Sequence, residues 1–353
     1  MFGLIAARQG LAAALPADRI ALDLDDRELE RIGRVREAAG LPVDPEPRLH
    51  AHLAAVATLS EGLSEDDAHA MIARESLALH PSTGEGATGP ARAALHAALP
   101  GEAGGIAPIL PDLLGEAVAI RAFLRLSDGG VSAVRRASEA KRAQPTASVI
   151  RACQDFLVRG HRAPLAWLEA LRADATELDT LMALSNGMPT ATTELREIAA
   201  ELRQEILDRV RDLPAEDAAP LVAASLNNLS NRLSDLGRRE DALAAGEEAV
   251  EIRRRLAAAR PDAFPDPLAT ALWVLSGRLA DSGADDDAER THRAALTTLA
   301  PLFQRHPAAL APKIAAMAKD YFERCQRTGQ TPDEATLAPI LAVIQDTLGE
   351  QGE

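Results

Sequence analysis

Asn231-Arg232-Leu233-Ser234-Asp235-Leu236-Gly237 returns as Gly277-Arg278-Leu279-Ala280-Asp281-Ser282-Gly283 and again as Glu323-Arg324-Cys325-Gln326-Arg327-Thr328-Gly329. The offset is 46 residues each time, with arginine second and glycine last. A fixed period of this length marks stacked structural repeats. Ahead of the first glycine, Leu226, Leu229 and Leu233 lie three and four apart, on one face of a helix. Gly237 ends that helix, because glycine accepts the left-handed backbone that follows a helix C-terminus. Behind it, Ala242, Ala249 and Ile252 mark the inner side of a second helix, with Ala242 small where the two helices cross. The second copy follows the same plan with Leu272, Leu275, Leu279, Gly283, Ala288 and Ala295. The third has Ala318, Tyr321, Cys325 and Gly329, then slips in register to Ala335. It lacks a clear second-helix pattern, as a capping hairpin does.

Leu226-Asn227-Asn228-Leu229, Leu236-Gly237-Arg238, Ala242 and Glu247-Glu248-Ala249-Val250-Glu251-Ile252 resemble the tetratricopeptide repeat, in its longer kinesin-light-chain-like form, over roughly residues 217–345. The resemblance implies an all-α fold, an α-α superhelix of two-helix hairpins whose first helices line a concave groove. Registering the copies on their glycines places Asn227, Asn231, Ser234 and Asp235, then Thr270, Trp273 and Asp281, then Lys319, Glu323 and Arg327 along that groove. Asparagine amides donate to and accept from an extended backbone, and Trp273 offers a flat apolar surface. A protein or peptide ligand is therefore the expected partner. Solvated polar positions are the plainer alternative for each residue taken singly. Arg232, Arg278 and Arg324 stand beside these positions, and are expected to form a structural ladder with acidic neighbours in the adjacent hairpin.

The chain has 353 residues, 47% hydrophobic and only 3% aromatic, with alanine filling much of the rest. That composition favours close-packed helices. A net charge of −15 opposes non-specific binding to nucleic acid or anionic membrane. Cys153 and Cys325 stand far apart, so no disulfide framework is indicated and a cytoplasmic setting is expected. Met1 to Leu15 is mildly apolar but has no basic leader region, and Arg8 interrupts it; it reads as a helix. No apolar run is long enough to span a membrane.

Residues 1–130 form a first, helical domain of different texture. Helices are expected at Asp25–Ala39, His50–Glu61 and Glu65–Leu77, the last opened by the capping sequence Ser64-Glu65-Asp66-Asp67. Pro81-Ser82-Thr83-Gly84-Glu85-Gly86-Ala87-Thr88-Gly89-Pro90 reads as a loop. It is not a phosphate loop, since Gly89 is followed by Pro90 and Ala91 where lysine and a hydroxyl residue are needed. A helix at Ala91–Leu99, a turn at Pro100–Gly105 and a short strand at Ile106–Leu110 complete the order of a winged helix with a small β-hairpin.

Leu110-Pro111-Asp112-Leu113-Leu114-Gly115-Glu116 is similar to the segment behind the winged-helix module of bacterial STAND-type signalling ATPases that carry tetratricopeptide arrays. Leu53-Ala54-Ala55-Val56-Ala57-Thr58-Leu59-Ser60-Glu61-Gly62-Leu63 and Leu195-Arg196-Glu197-Ile198-Ala199 fit the same context. Such ATPases carry their P-loop upstream of this module. The resemblance therefore implies a sensor or regulatory half that lacks its own motor and works with an NTPase domain in cis or trans. A winged helix also suggests DNA binding. Its candidate third helix, however, offers only Arg92 and His96, too few cations for groove reading.

Residues 131–215 read as a helical bridge of degenerate repeats, and 216–353 as the repeats proper. Arg135, Arg136, Lys141 and Arg142 form the one basic cluster, read as a solvated helix face. Val149, Ile150, Cys153, Phe156 and Leu157 form an apolar stripe that Gly160 stops, and Leu165, Trp167, Leu168 and Leu171 continue in a second helix. The bridge is expected to transmit groove occupancy to the N-terminal half.

Nothing resembling a catalytic constellation is present. His50 and His52 point to different faces of a helix, and His161, His292 and His306 are isolated. Asp285-Asp286-Asp287 is the acidic start of a helix. The expected function is a non-enzymatic, cofactor-free interaction scaffold. The alternatives are the regulatory half of a signalling NTPase and, less favoured, a DNA-binding regulator.

Overall fold

The computed structural model of the chain describes residues 17–38, 49–79, 88–141, 143–189, 193–261 and 263–349. The expected helix over Met1–Leu15 lies outside these, as does most of the loop over 81–90. Among the described residues there are sixteen α-helices and no named strand. The chain divides into two compact units, Met1–Leu195 and Arg196–Glu353.

The N-terminal unit holds α1 (Ala17–Ala38), α2 (Leu49–Leu59), α3 (Glu65–Leu79), α4 (Thr88–Ala98), α5 (Asp112–Phe123), α6 (Val131–Lys141), α7 (Ala143–Phe156), α8 (Ala163–Asp174) and α9 (Leu178–Gly187). Its centre is the pair α2 and α5. Both are apolar nearly all round, as a helix enclosed by others must be, and Leu53 through Ala57 and Ala117 through Ile120 are buried. Ser64 caps α3 by accepting the Asp67 N–H at 3.2 Å. Gly160, at φ +86°, stops the turn that follows α7. Thr88, Gly89 and Pro90, expected in the loop, form the first turn of α4. Proline is accepted there because first-turn amides have no partner within the helix.

The expected strand is reduced to two isolated antiparallel bridges, Ile106 with Leu63 and Ile106 with Pro100. Between them Glu102–Gly104 forms a single 3₁₀ turn. Gly105 cannot be extended by a side chain, since a Cβ there would lie 2.3 Å from the Leu63 carbonyl oxygen. Ile106 exchanges both backbone hydrogen bonds with Leu63, and Gly101 N to Gly105 O and Ala107 N to Leu99 O close the turn, with no longer ladder among the described residues.

The C-terminal unit is a run of hairpins: α10 (Arg196–Arg211), α11 (Ala215–Asp235) with α12 (Arg239–Ala259), α13 (Pro265–Asp281) with α14 (Asp285–Arg305), and α15 (Pro307–Thr328) with α16 (Glu334–Gly349). The three repeated glycines, Gly237, Gly283 and Gly329, have φ of +74°, +83° and +73°. Beyond each, an amide reaches back five positions: Arg238 N to Leu233 O, Ala284 N to Leu279 O and Gln330 N to Cys325 O, all 2.9 Å. This is the Schellman closure, which satisfies carbonyls that the helix end would orphan. Ala242 and Ala288 are buried at the crossings, and Ser230 Oγ donates to Ala242 O at 2.7 Å.

The third hairpin closes despite its weak pattern. Ile340 of α16 joins the core of Leu272, Leu296, Phe303, Met317 and Tyr321. The buried Tyr321 hydroxyl donates to Glu289 Oε1 at 2.7 Å and accepts the Asp333 N–H at 3.2 Å, holding the turn before α16. Tyr321→Phe leaves both groups unpaired, so we expect a loss of about 1–3 kcal/mol. A fall in the urea midpoint at unchanged slope is the check; an unchanged midpoint would show that water replaces the hydroxyl at no cost.

Candidate functional site: a polar face on the first helices

The helices α11, α13 and α15 are tied side by side by two sets of contacts. In the first, Arg278 Nη1 donates to Ser230 O at 3.3 Å and Arg324 Nη1 donates to Ser276 O at 2.9 Å. A helical carbonyl keeps a second lone pair after its intrahelical bond, and the guanidinium uses it. Each arginine also lies within 4.0 Å of a carboxylate on its own helix: Arg232 and Asp235 at 3.9 Å, Arg278 and Asp281 at 3.6 Å, and Arg324 and Asp320 at 3.8 Å. The ladder is therefore real, but its rungs end on backbone carbonyls instead of acids of the adjacent hairpin. Arg324 is only 4% exposed, and burial lowers its pKa. A carboxylate on the neighbouring helix would also have to be desolvated there, which a carbonyl avoids.

The second set is offset by 47 residues. Ser234 Oγ donates to Asp281 Oδ2 at 3.0 Å, Trp273 Nε1 to Asp320 Oδ2 at 2.8 Å, and Lys313 Nζ to Asp266 Oδ1 at 2.5 Å. Asp266, Lys313 and Asp320 escaped the sequence reading. Their signal was present, since donor and acceptor recur one residue beyond the 46-residue period.

Of the ten residues expected on this face, Asn231, Asp235, Asp281, Lys319, Glu323 and Arg327 are exposed. Lys319 and Glu323 approach to 3.8 Å, with Lys319 77% exposed. Ser234, Thr270 and Trp273 are half-buried. The Thr270 hydroxyl donates to Asp266 O one turn back, so it is used within its own helix. Trp273 packs on the hydrophobic core and gives its N–H to Asp320; it is not the free flat surface that was expected. Asn227 is buried, and its Oδ1 has no hydrogen-bond partner among the described residues.

The same unit contains a cleft of about 680 Å³ between α10 and α12, floored by α11. Leu226, Leu229 and Leu233 form the floor, Glu197 and Glu201 one wall, and Asp241 and Glu248 the other. Arg211 crosses to Glu248 at 2.8 Å. The sequence reading placed residues 196–211 in the bridge, whereas here they form a helix packed on α11. The apolar spacing Ala199, Leu202, Ile206 and Val210, buried in the structure, was the available signal.

In the N-terminal unit the cations singled out from sequence are engaged internally, except Arg142, which lies outside the described residues. Arg92 pairs with Glu65 at 2.9 Å and His96 Nδ1 meets Gly105 O at 2.6 Å. Arg135 pairs with Asp174 at 2.7 Å, Lys141 with Asp67 at 2.7 Å, and Arg136 grips both oxygens of Glu75 through Nε and Nη2. His52 Nε2 lies 2.8 Å from Glu75 Oε2, and its ring meets Phe123, which meets Trp167 edge-on. Among the described residues no group of His, Cys, Asp or Glu could hold a metal ion, and no helix is long and apolar enough to cross a membrane.

No curated protein matches the chain. Residues 222–260, from the middle of α11 to just past the end of α12, match the family model described as Tetratricopeptide repeat, and with the all-helical fold this supports a protein of tetratricopeptide-type repeats.

Proposed function

We propose that the protein is a non-enzymatic interaction scaffold, and that the face of α11, α13 and α15 is the groove in which it holds a peptide or protein partner. Repeats of this type generally mediate protein–protein interaction. The observation that carries the proposal is the lateral ladder. It locks three first helices at a fixed offset while leaving Asn231, Asp235, Asp281, Lys319, Glu323 and Arg327 open. A face held rigid before binding loses little entropy on binding. The exposed Asp235 and Asp281 favour a partner segment bearing lysine or arginine, and Asn231 serves its backbone.

The test is recovery of the partner by wild type and by Asn231→Ala/Asp235→Ala/Asp281→Ala. A loss of about 1 kcal/mol per open contact makes recovery at least tenfold weaker. Unchanged recovery would remove this face from the mechanism.

A second reading, the regulatory half of a signalling NTPase, draws on the two bridges of Ile106, with Leu63 and with Pro100, behind α2, α3 and α4. That arrangement supports a winged-helix-like module with a vestigial wing. The pairing of Arg92 with Glu65 and of His96 with Gly105 O supports internal packing of its third helix over DNA contact. A salt-sensitive shift of duplex DNA at low ionic strength would reverse that preference.

A further inference from the structure

We infer that the exposed face of α15 is an interface with a second copy of this chain, the two α15 helices packing antiparallel about a two-fold axis at the level of Tyr321. The residue that marks it is Phe322. It is the third member of a series set by the 46-residue period: Ser230, Ser276, Phe322. Ser230 and Ser276 are fully buried, and the carbonyl of each accepts the arginine of the next first helix. Phe322 is 47% exposed, the one exposed phenylalanine among the described residues.

Position 322 therefore lies on the side that takes a neighbouring helix in the two preceding copies. An edge that only meets water carries polar side chains, as capping repeats do. Phenylalanine instead puts a large apolar ring there, and its burial on association is favourable.

The residues around Phe322 select the occupant. In an antiparallel pair centred at Tyr321, residues equally far before and after it face each other. Lys319, two residues before, meets Glu323, two residues after, and the axis makes this pair twice. Their side chains are 77% and 61% exposed, so each can turn from the 3.8 Å contact within its own helix towards the other copy. Phe322 is one residue, ~1.5 Å of helix rise, from the axis, within reach of its counterpart. Ala315 and Arg327 stand six residues either side, so a short side chain faces a long one. The face is thus complementary to itself. Lys319 and Arg327 stand against Glu323, so the acidity of a chain of net charge −15 is absent where the copies meet. This interface goes beyond the peptide-holding role: that test rests on Asn231, Asp235 and Asp281 of α11 and α13, and the two can fail separately.

The experiment is sedimentation velocity of the full chain at physiological ionic strength, across a concentration range that brackets a dissociation constant on the order of 100 μM, as a small interface gives. A reversible shift from monomer to dimer is expected. Phe322→Asp, at an exposed position, should weaken it at least tenfold. Lys319→Glu and Glu323→Lys each set like charges across the axis and should weaken it several-fold. Mixing those two variants puts opposite charges back in both pairs, so the mixed dimer should form about as readily as that of the wild type; this arm does not depend on the Phe322 variant folding. A chain that stays monomeric throughout, which would leave the edge to a helix of another protein, overturns the inference. So does a dimer that Phe322→Asp leaves intact, or the absence of recovery on mixing.

Discussion

Glu75→Ala is expected to destabilise the N-terminal unit by about 3–5 kcal/mol, a large share of the stability of an ordinary domain. Glu75 is fully buried and anchors three helices. From α3 it accepts hydrogen bonds from Arg136 of α6 at 2.7 and 2.6 Å, and its Oε2 lies 2.8 Å from His52 Nε2 of α2. Burial raises the pKa of this carboxyl, but Arg136 and His52 outweigh it and hold the group below the usual carboxylate range. Removing the carboxylate leaves a buried imidazole and a half-buried guanidinium without their shared partner. Glu75→Gln keeps part of the hydrogen bonding and should cost less. Trp167 is the one tryptophan of this unit, so fluorescence-monitored urea unfolding in a Trp273→Phe background reports it separately. A loss below 1 kcal/mol would mean that apolar packing, not this network, joins α2, α3 and α6.

Acidification should weaken the C-terminal unit by about 3 kcal/mol between pH 6.5 and pH 4, through His292. His292 is fully buried, with Nε2 2.9 Å from Met317 O and its ring 5.4 Å from that of Tyr321. Burial pushes its pKa from 6.5 down to about 4; the Met317 carbonyl opposes this, Arg324 adds to it and Asp320 opposes it. The folded protein thus keeps a neutral ring where the unfolded chain takes up a proton. Stability is complete above pH 6.5 and is lost progressively as pH falls towards 4. His292→Gln, which retains a donor for Met317 O, should flatten the pH dependence in this window when Trp273 fluorescence follows unfolding. A slope as steep in the variant as in the wild type would assign the acid sensitivity to other groups.

These two buried groups show where reading the sequence stops. His52 is 23 residues from Glu75 and Glu75 is 61 from Arg136, so no helical period links them. His292 looked isolated because its partner is a backbone carbonyl 25 residues away. Glu116 stood inside a segment that drew attention only for its family likeness. That its carboxyl is buried beside Arg151, 35 residues on, no local spacing announces. The polar face was legible in part. Six of ten expected positions are open, because helical phase follows from spacing alone. Asn227 and Trp273 depart from expectation because neighbouring helices cover them, and cover is a property of the stack.

The sequence by itself determined the hairpins of the C-terminal unit. Gly237, Gly283 and Gly329 all take the left-handed conformation that their spacing announced, since only a residue without a side chain adopts it at little cost. Alanine at positions 242 and 288 likewise specified where paired helices cross. The tertiary structure decided the partners. The recurring arginines were visible as a period of 46, but only the packed helices showed that their rungs end on Ser230 O and Ser276 O. The physical reason is range. Turn chemistry and amphipathic spacing act within one hairpin, where a few neighbouring residues set the backbone. Lateral hydrogen bonds, burial and shifted pKa values arise between elements that are distant in the chain, and take effect only once packing has removed the water between them.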